Sequence, residues 1–154
     1  MASQLPAIPK FIFLVFEPVT LLAGWGTATF DPAGFVSDQI AGEEAAVSDH
    51  ARLLALQLGN CYGLMFLLGL VVLYTTSELK VIRRYLLALS VTDVTHVAVC
   101  YHVLGVERFS AVHQWNSMMW GNIAMPTALF LLRVVYLLGA FGPDKSAFTE
   151  KKLN

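Results

Sequence analysis

The sequence predicts an all-α integral membrane protein, a four-helix bundle with both termini on the cytoplasmic side. Three observations predict it. Of 154 residues, 56% are hydrophobic and only 14% charged, whereas an average soluble domain is about a quarter charged. The mean hydropathy of +0.63 exceeds what a core of this size absorbs, so lipid is the expected solvent for much of the surface. Four separate stretches also reach the roughly 20 apolar residues that cross the hydrocarbon core of a bilayer, and lysine and arginine gather on one side of them.

The spans are expected at about residues 11–30, 53–74, 85–104 and 115–141, within a single domain covering 1–154. Span 1 carries Glu17-Pro18 in its middle and lacks a strongly basic start, which separates it from a cleaved signal peptide. The connection 31–52 holds Asp31, Asp38, Glu43, Glu44 and Asp49, with a short helix expected on the surface. Span 2 carries Gln57 and Asn60. Its "GLMFLLG", from Gly63 to Gly69, offers a small-residue surface for a homodimer. Span 3 carries "SVTDVTHV". Span 4 carries Asn122, Met125-Pro126 and Arg133.

Orientation follows from the basic residues near the span ends. A cytoplasmic N-terminus places Lys10, Lys80, Arg83, Arg84, Lys145, Lys151 and Lys152 on the cytoplasmic side, against Arg52 and Arg108 on the other. Trp25 and Trp115 then fall near the lumenal interface, where indoles are favoured. The closing "KKLN" looks like a di-lysine signal for retrieval to the endoplasmic reticulum, an address read by a receptor. The expected location is therefore the endoplasmic reticulum membrane, multi-pass.

A net charge of −1 gives no reason to expect a nucleic-acid partner. Cys61 and Cys100 lie in apolar stretches and read as buried thiols. No zinc-ligand spacing occurs, and neither a metal nor a cofactor is expected. Four spans without a charged ring or an inverted repeat make a poor channel or transporter.

Ionisable side chains inside a span are costly and mark function by default. At about 1.5 Å per residue, Glu17, Asp93 and Arg133 each lie some 10–13 Å from the cytoplasmic end and share one layer. His96 is one turn further in and lies on the helix face of Asp93, a face that Cys100 continues. Thr92 and Thr95 flank it. Asn60 and Asn122 approach from the lumenal side. Pro18 frees the carbonyl of Leu14, and Pro126 frees that of Asn122. Two kinked helices fit a pocket ringed by Phe13, Phe16, Trp25, Tyr62, Tyr101 and Trp120. Plainer roles stay open. Arg133 either faces the carboxylates or snorkels to the interface, an Arg133 ion pair with Glu17 or Asp93 would serve helix register, and Gln57 and Asn60 suit interhelical hydrogen bonds. Two carboxylates, a histidine and three amides at neighbouring depths exceed what register needs.

Span 1 with Glu17, span 3 "LALSVTDVTHVAVCYHVLG" and span 4 "WNSMMWGNIAMPTALFLLRVVYLLG", followed by a basic tail, resemble the EXPERA group. That group includes the sterol double-bond isomerases and the sigma-two receptor. The resemblance covers roughly residues 8–143 and implies four spans, cytoplasmic termini and residence in the endoplasmic reticulum. Sterol isomerases use carboxylates and a histidine around a cation; Asn60 stands where a second-span glutamate is expected. The opening "LPAIPKFIFLVFEPVTLLAG" is also similar to small four-span proteins of filamentous fungi. Some of these belong to polyketide and meroterpenoid biosynthesis, with relatives that open epoxides and close rings.

The expected function is therefore cofactor-independent acid–base opening of an epoxide, by hydrolysis or cyclisation, on a lipophilic polyketide or terpenoid. Asp93 and Glu17 are the expected catalytic pair, because an acid must protonate the epoxide oxygen while a base activates the attacking hydroxyl. His96 is expected to relay the proton. Asn60, Asn122 and Gln57 are expected to bind substrate oxygens or water, Tyr101 and Trp120 to pack on the apolar body, and Arg133 to keep one carboxylate charged. The partners expected are the lipophilic substrate and membrane lipid. Double-bond isomerisation and non-catalytic lipid or sterol binding are the alternatives.

Overall fold

A computed structural model describes residues 4–43 and 46–144. They form helices without strands. Four helices are long and apolar enough to cross a membrane: α1 (Ala7–Phe30), α3 (Asp49–Thr75), α4 (Leu79–Ser110) and α5 (Ser117–Leu137). A short helix, α2 (Pro32–Ser37), follows α1. The chain is a multi-pass, all-α four-helix bundle. The terminal lysines of "KKLN" lie outside the described residues.

Local chemistry sets the helix ends. Asp31 caps α2, accepting from the Gly34 amide at 2.9 Å, with Pro32 at the first helical position where its missing N–H costs nothing. Ser48 caps α3 through the Ala51 amide at 3.2 Å. Asn116 caps α5 through the Met119 amide at 2.9 Å. Gly105 breaks α4 with φ of +71°, a backbone region that only glycine enters cheaply. The α4 span thus ends at Leu104 as expected, and one more helical turn follows the kink. Its start lies at Leu79 rather than Tyr85, because Ile82 and Leu86 on this basic first stretch are fully buried.

Both proline helices widen just ahead of the proline. α1 is a π-helix over Ile12–Phe16 before Glu17-Pro18, and α5 over Trp120–Ala124 before Met125-Pro126. A proline removes one N–H and its ring collides with the carbonyl four residues back. The wider turn moves that carbonyl aside. Both freed carbonyls find donors on a neighbouring helix. The Tyr74 hydroxyl of α3 donates to Leu14 at 2.7 Å, and the Cys100 thiol of α4 to Asn122 at 3.8 Å.

The bundle is two helix pairs, α1 along α3 and α4 along α5. Small residues let the first pair approach closely. A Cβ on Gly59 would lie 3.0 Å from the Thr29 hydroxyl and 3.1 Å from the Ala28 methyl, and one on Gly63 would meet the Trp25 ring at 3.3 Å. Gly69 faces the Tyr85 hydroxyl of α4. Gly63 and Gly69 thus each pack on a neighbouring helix of the same chain.

The two pairs meet at the end of the bundle where α1 begins and α5 ends. There Phe13 and Leu14 of α1, Leu73 of α3, Leu86 and Leu89 of α4 and Tyr136 of α5 form one buried cluster. A second, smaller cluster of Ala28, Phe35 and Ala55 closes the opposite, loop end. Between the clusters the pairs line a cavity that opens to the outside of the bundle.

Candidate active site

The cavity has a volume of about 480 Å³ and is lined by all four long helices and by Phe35 of α2. Its walls are largely apolar, with Leu21, Tyr62, Met65, Leu89, Met118 and Leu129 prominent. Its floor is charged. Arg133 of α5, 1% exposed, extends one guanidinium arm to Asp93 of α4 and the other to Glu17 of α1. The guanidinium also lies over the Phe13 ring, 5.7 Å from its centroid, within reach of a cation–π attraction. Phe13 in turn meets Tyr136 edge-on. One guanidinium thus ties α1, α4 and α5 together at one depth.

The layer expected from residue counting exists, and it settles one open choice. Arg133 does not snorkel. Both its arms are held by carboxylates in the interior, and turning outward would leave two carboxylates there without a cation. Two polar atoms of the cluster, Glu17 Oε2 and Arg133 Nε, are buried without a hydrogen-bond partner.

His96 lies one turn beyond Asp93 on α4, lines the cavity and faces the carbonyl of Asn122 that Pro126 sets free. Cys100 reaches the same carbonyl from the next turn. The face Asp93–His96–Cys100 therefore looks at α5. Asn122 lines the cavity, and its Nδ2 donates to Gln39 Oε1 at 2.8 Å. Gln39 Nε2 donates to the Phe35 carbonyl at 3.1 Å. The Asn116 side chain donates to the Asp38 carbonyl at 2.9 Å, and Arg108 pairs with Glu43. The segment after α1 is thereby strapped across the loop end to α4 and α5. Its expected short helix is α2, which turns Phe35, 5% exposed, inward to help roof the cavity.

Four expected binding residues do not line the cavity. Gln57 and Asn60 are exposed on the outside of α3. The α3 face turned to α1 is the stripe Ala55–Gly59–Gly63, at intervals of four. At about 100° per residue, Gln57 and Asn60 fall off that stripe. Tyr101 follows Cys100 by one residue and so turns about 100° away from the cavity face. Trp120 precedes Asn122 by two and turns away from the bundle. Both are exposed and belong to an outer aromatic ladder, Tyr101–Phe109–Trp115–Trp120, with centroid spacings of 5.3, 6.2 and 5.3 Å. Such rings suit the polar–apolar boundary of a bilayer.

The cavity also holds residues that sequence reasoning passed over. Met65 of α3 is one of them, beside Tyr62, which was expected there. Thr20, one turn from Glu17, is another, while Thr92 was expected beside Asp93. Nothing in the sequence pointed to Gln39.

The chain matches the model of the domain of unknown function DUF7704 over residues 2–143. It belongs to that family. Neither a curated protein nor a solved structure matches it.

Proposed function

We propose that this member of the DUF7704 family is a membrane enzyme that opens an epoxide on a lipophilic polyketide or terpenoid by acid–base catalysis, without a cofactor. One observation carries the reading: a single guanidinium stands between two carboxylates at the floor of a largely apolar cavity. Two carboxylates and one guanidinium sum to −1 when all are ionised. In surroundings of low dielectric, a proton shared by the carboxylate pair makes the cluster neutral. That proton is the acid the chemistry requires, and the ionised partner held by Arg133 is available as a base.

In the proposed step the carboxylic acid gives its proton to the epoxide oxygen as the carbon–oxygen bond breaks. A water molecule or a hydroxyl of the substrate forms the new bond to carbon and loses its proton to His96 or to the ionised carboxylate. Transfer of that proton back to the carboxylate pair resets the site. Attack by water yields a diol, and attack by an internal hydroxyl yields a ring. Asn122 and Thr92, on the side of the cavity beyond the floor, suit the holding of the attacking oxygen. The resemblance of residues 8–143 to the EXPERA group supports residence in the endoplasmic reticulum membrane as part of the proposal.

Turnover by membranes carrying wild-type, Asp93→Asn or Glu17→Gln protein tests the reading. Lipophilic epoxides are supplied and products read by mass spectrometry and NMR, at matched protein level and thermal stability. The expected result is a diol or a cyclic ether from the wild type and a loss of roughly 100-fold or more in either variant. Unchanged turnover in both variants overturns the assignment. A shifted double bond in an olefin, with the epoxides untouched, replaces it with the isomerase reading. Ligand binding that depends on the carboxylates, with neither reaction, replaces it with a binding protein.

A further inference from the structure

The polar wall of the cavity is set to accept hydrogen bonds. Thr20 donates its hydroxyl hydrogen to the Glu17 carbonyl at 2.8 Å, and Thr92 donates its own to the Leu89 carbonyl at 2.8 Å. Each therefore presents only lone pairs to an occupant. At the floor, one N–H of each guanidinium arm of Arg133 goes to a carboxylate, and its Nε is buried. The amide of Asn122 is oriented by a chain that starts at the roof. Gln39 Nε2 must donate to the Phe35 carbonyl, so Gln39 presents Oε1 to Asn122, and Asn122 must answer with Nδ2. Turning either amide over would set oxygen against oxygen. Asn122 Oδ1 is thereby left to accept from whatever fills the cavity. His96, Tyr62 and the Ser117 hydroxyl can play either role. Beyond the charged floor, every group on this wall whose role is fixed accepts.

We infer that the cavity selects a ligand whose polar group is a hydroxyl donor, a lipophilic alcohol rather than the corresponding ether, and that Gln39 is the positioning residue that sets this preference through Asn122. A ligand without a donor leaves these acceptors unpaired once water is displaced, and an unmade hydrogen bond costs more than a made one returns. A site built to pair a substrate hydroxyl therefore rejects the analogue that lacks it. The selectivity rests on the cavity being the substrate site of the reading above. On that reading the hydroxyl held at Asn122 is suited to be the attacking oxygen, and the substrate is an epoxy-alcohol.

Binding rather than turnover tests it, so it fails separately from the chemistry. The probes are farnesol and its methyl ether, titrated calorimetrically into the full-length protein in one detergent. The wild type is expected to prefer the alcohol by roughly tenfold or more. Gln39→Met frees the Asn122 amide to turn and present Nδ2, so the preference is expected to fall severalfold, with the ether gaining affinity. Asn122→Leu removes the acceptor and is expected to abolish the preference; it stands in if Gln39→Met does not fold. A merely structural role for Gln39 would weaken both probes alike. Equal affinity for the two probes in the wild type, a preference unchanged in both variants, or no binding of either probe overturns the inference. Selective binding without turnover of any epoxide leaves it standing and removes the catalytic reading alone.

Discussion

Replacing Arg133 with methionine removes the one cation from a site with two carboxylates. Arg133 is 1% exposed, and the side chains of Glu17 and Asp93 are 9% and 12% exposed. Water therefore does little to compensate. Breaking a buried ion pair from one side costs about 3–5 kcal/mol, because the partner is left in place. In a chain of this size each kcal/mol moves the melting temperature by about 2–4 °C. Arg133→Met is thus expected to lower it by roughly 6–20 °C. Arg133→Lys is expected to fall between, since one ammonium is a point charge and lacks the fork that engages two carboxylates on different helices. The triple variant Glu17→Gln, Asp93→Asn, Arg133→Met carries no charge at the site and is expected to recover most of the loss, because a neutral replacement of a buried ionic cluster is often tolerated. Tryptophan fluorescence during heating in detergent reads all four proteins. An Arg133→Met protein as stable as the wild type, or a triple variant as unstable as the single one, refutes the reasoning.

Three further predictions concern the frame around the site. Tyr74→Phe removes the donor to the Leu14 carbonyl and is expected to cost about 1 kcal/mol. The cost is expected to vanish in a Pro18→Ala background, where the helix supplies its own donor, and a double-mutant cycle that shows no coupling contradicts the pairing. Gly59→Leu forces side-chain atoms into a crossing where even a Cβ has 3.0 Å of room; a loss of at least about 1–3 kcal/mol is expected, and an unshifted melting curve rules the crossing out. Gly105 has φ of +71° and open space around it, so only backbone strain acts there. With ψ of 170° the position lies in a region that essentially only glycine enters, so Gly105→Val and Gly105→Asn are each expected to cost about 1–3 kcal/mol, and an unshifted melting curve for either contradicts that account.

The number and order of the membrane helices were legible because a run of apolar residues long enough to cross a bilayer is a property of composition. The ends were less so. Residues 79–84 are basic and read as a loop, yet they continue the helix because Ile82 faces the core. The last span was expected to reach Phe141 but closes at Leu137, where the chain turns through Gly139 at φ of +81°. The depth of Glu17, Asp93 and Arg133 was legible because charge inside a span is rare and rise per residue is fixed. Helix rotation was not read, and it decided which amides and aromatics line the cavity. For α3 the information was present in Ala55, Gly59 and Gly63, whose spacing marks the packed face and sends Gln57 and Asn60 outward. For Tyr101 and Trp120, aromatic size suggested a pocket, whereas both project from the bundle. The roof was illegible. Gln39 and Phe35 sit in a connection whose acidic composition reads as solvated, and only the fold brings them to Asn122.

The central claim is that Glu17, Asp93 and Arg133 hold one transferable proton at the cavity floor. Infrared difference spectroscopy of the protein in liposomes at neutral pH tests it most directly, through the carbonyl stretch of a protonated carboxylic acid. Wild-type protein is expected to show such a band, sensitive to deuterium exchange, and Glu17→Gln or Asp93→Asn to lose it. A wild-type spectrum without the band, or a band that survives both substitutions, contradicts the claim.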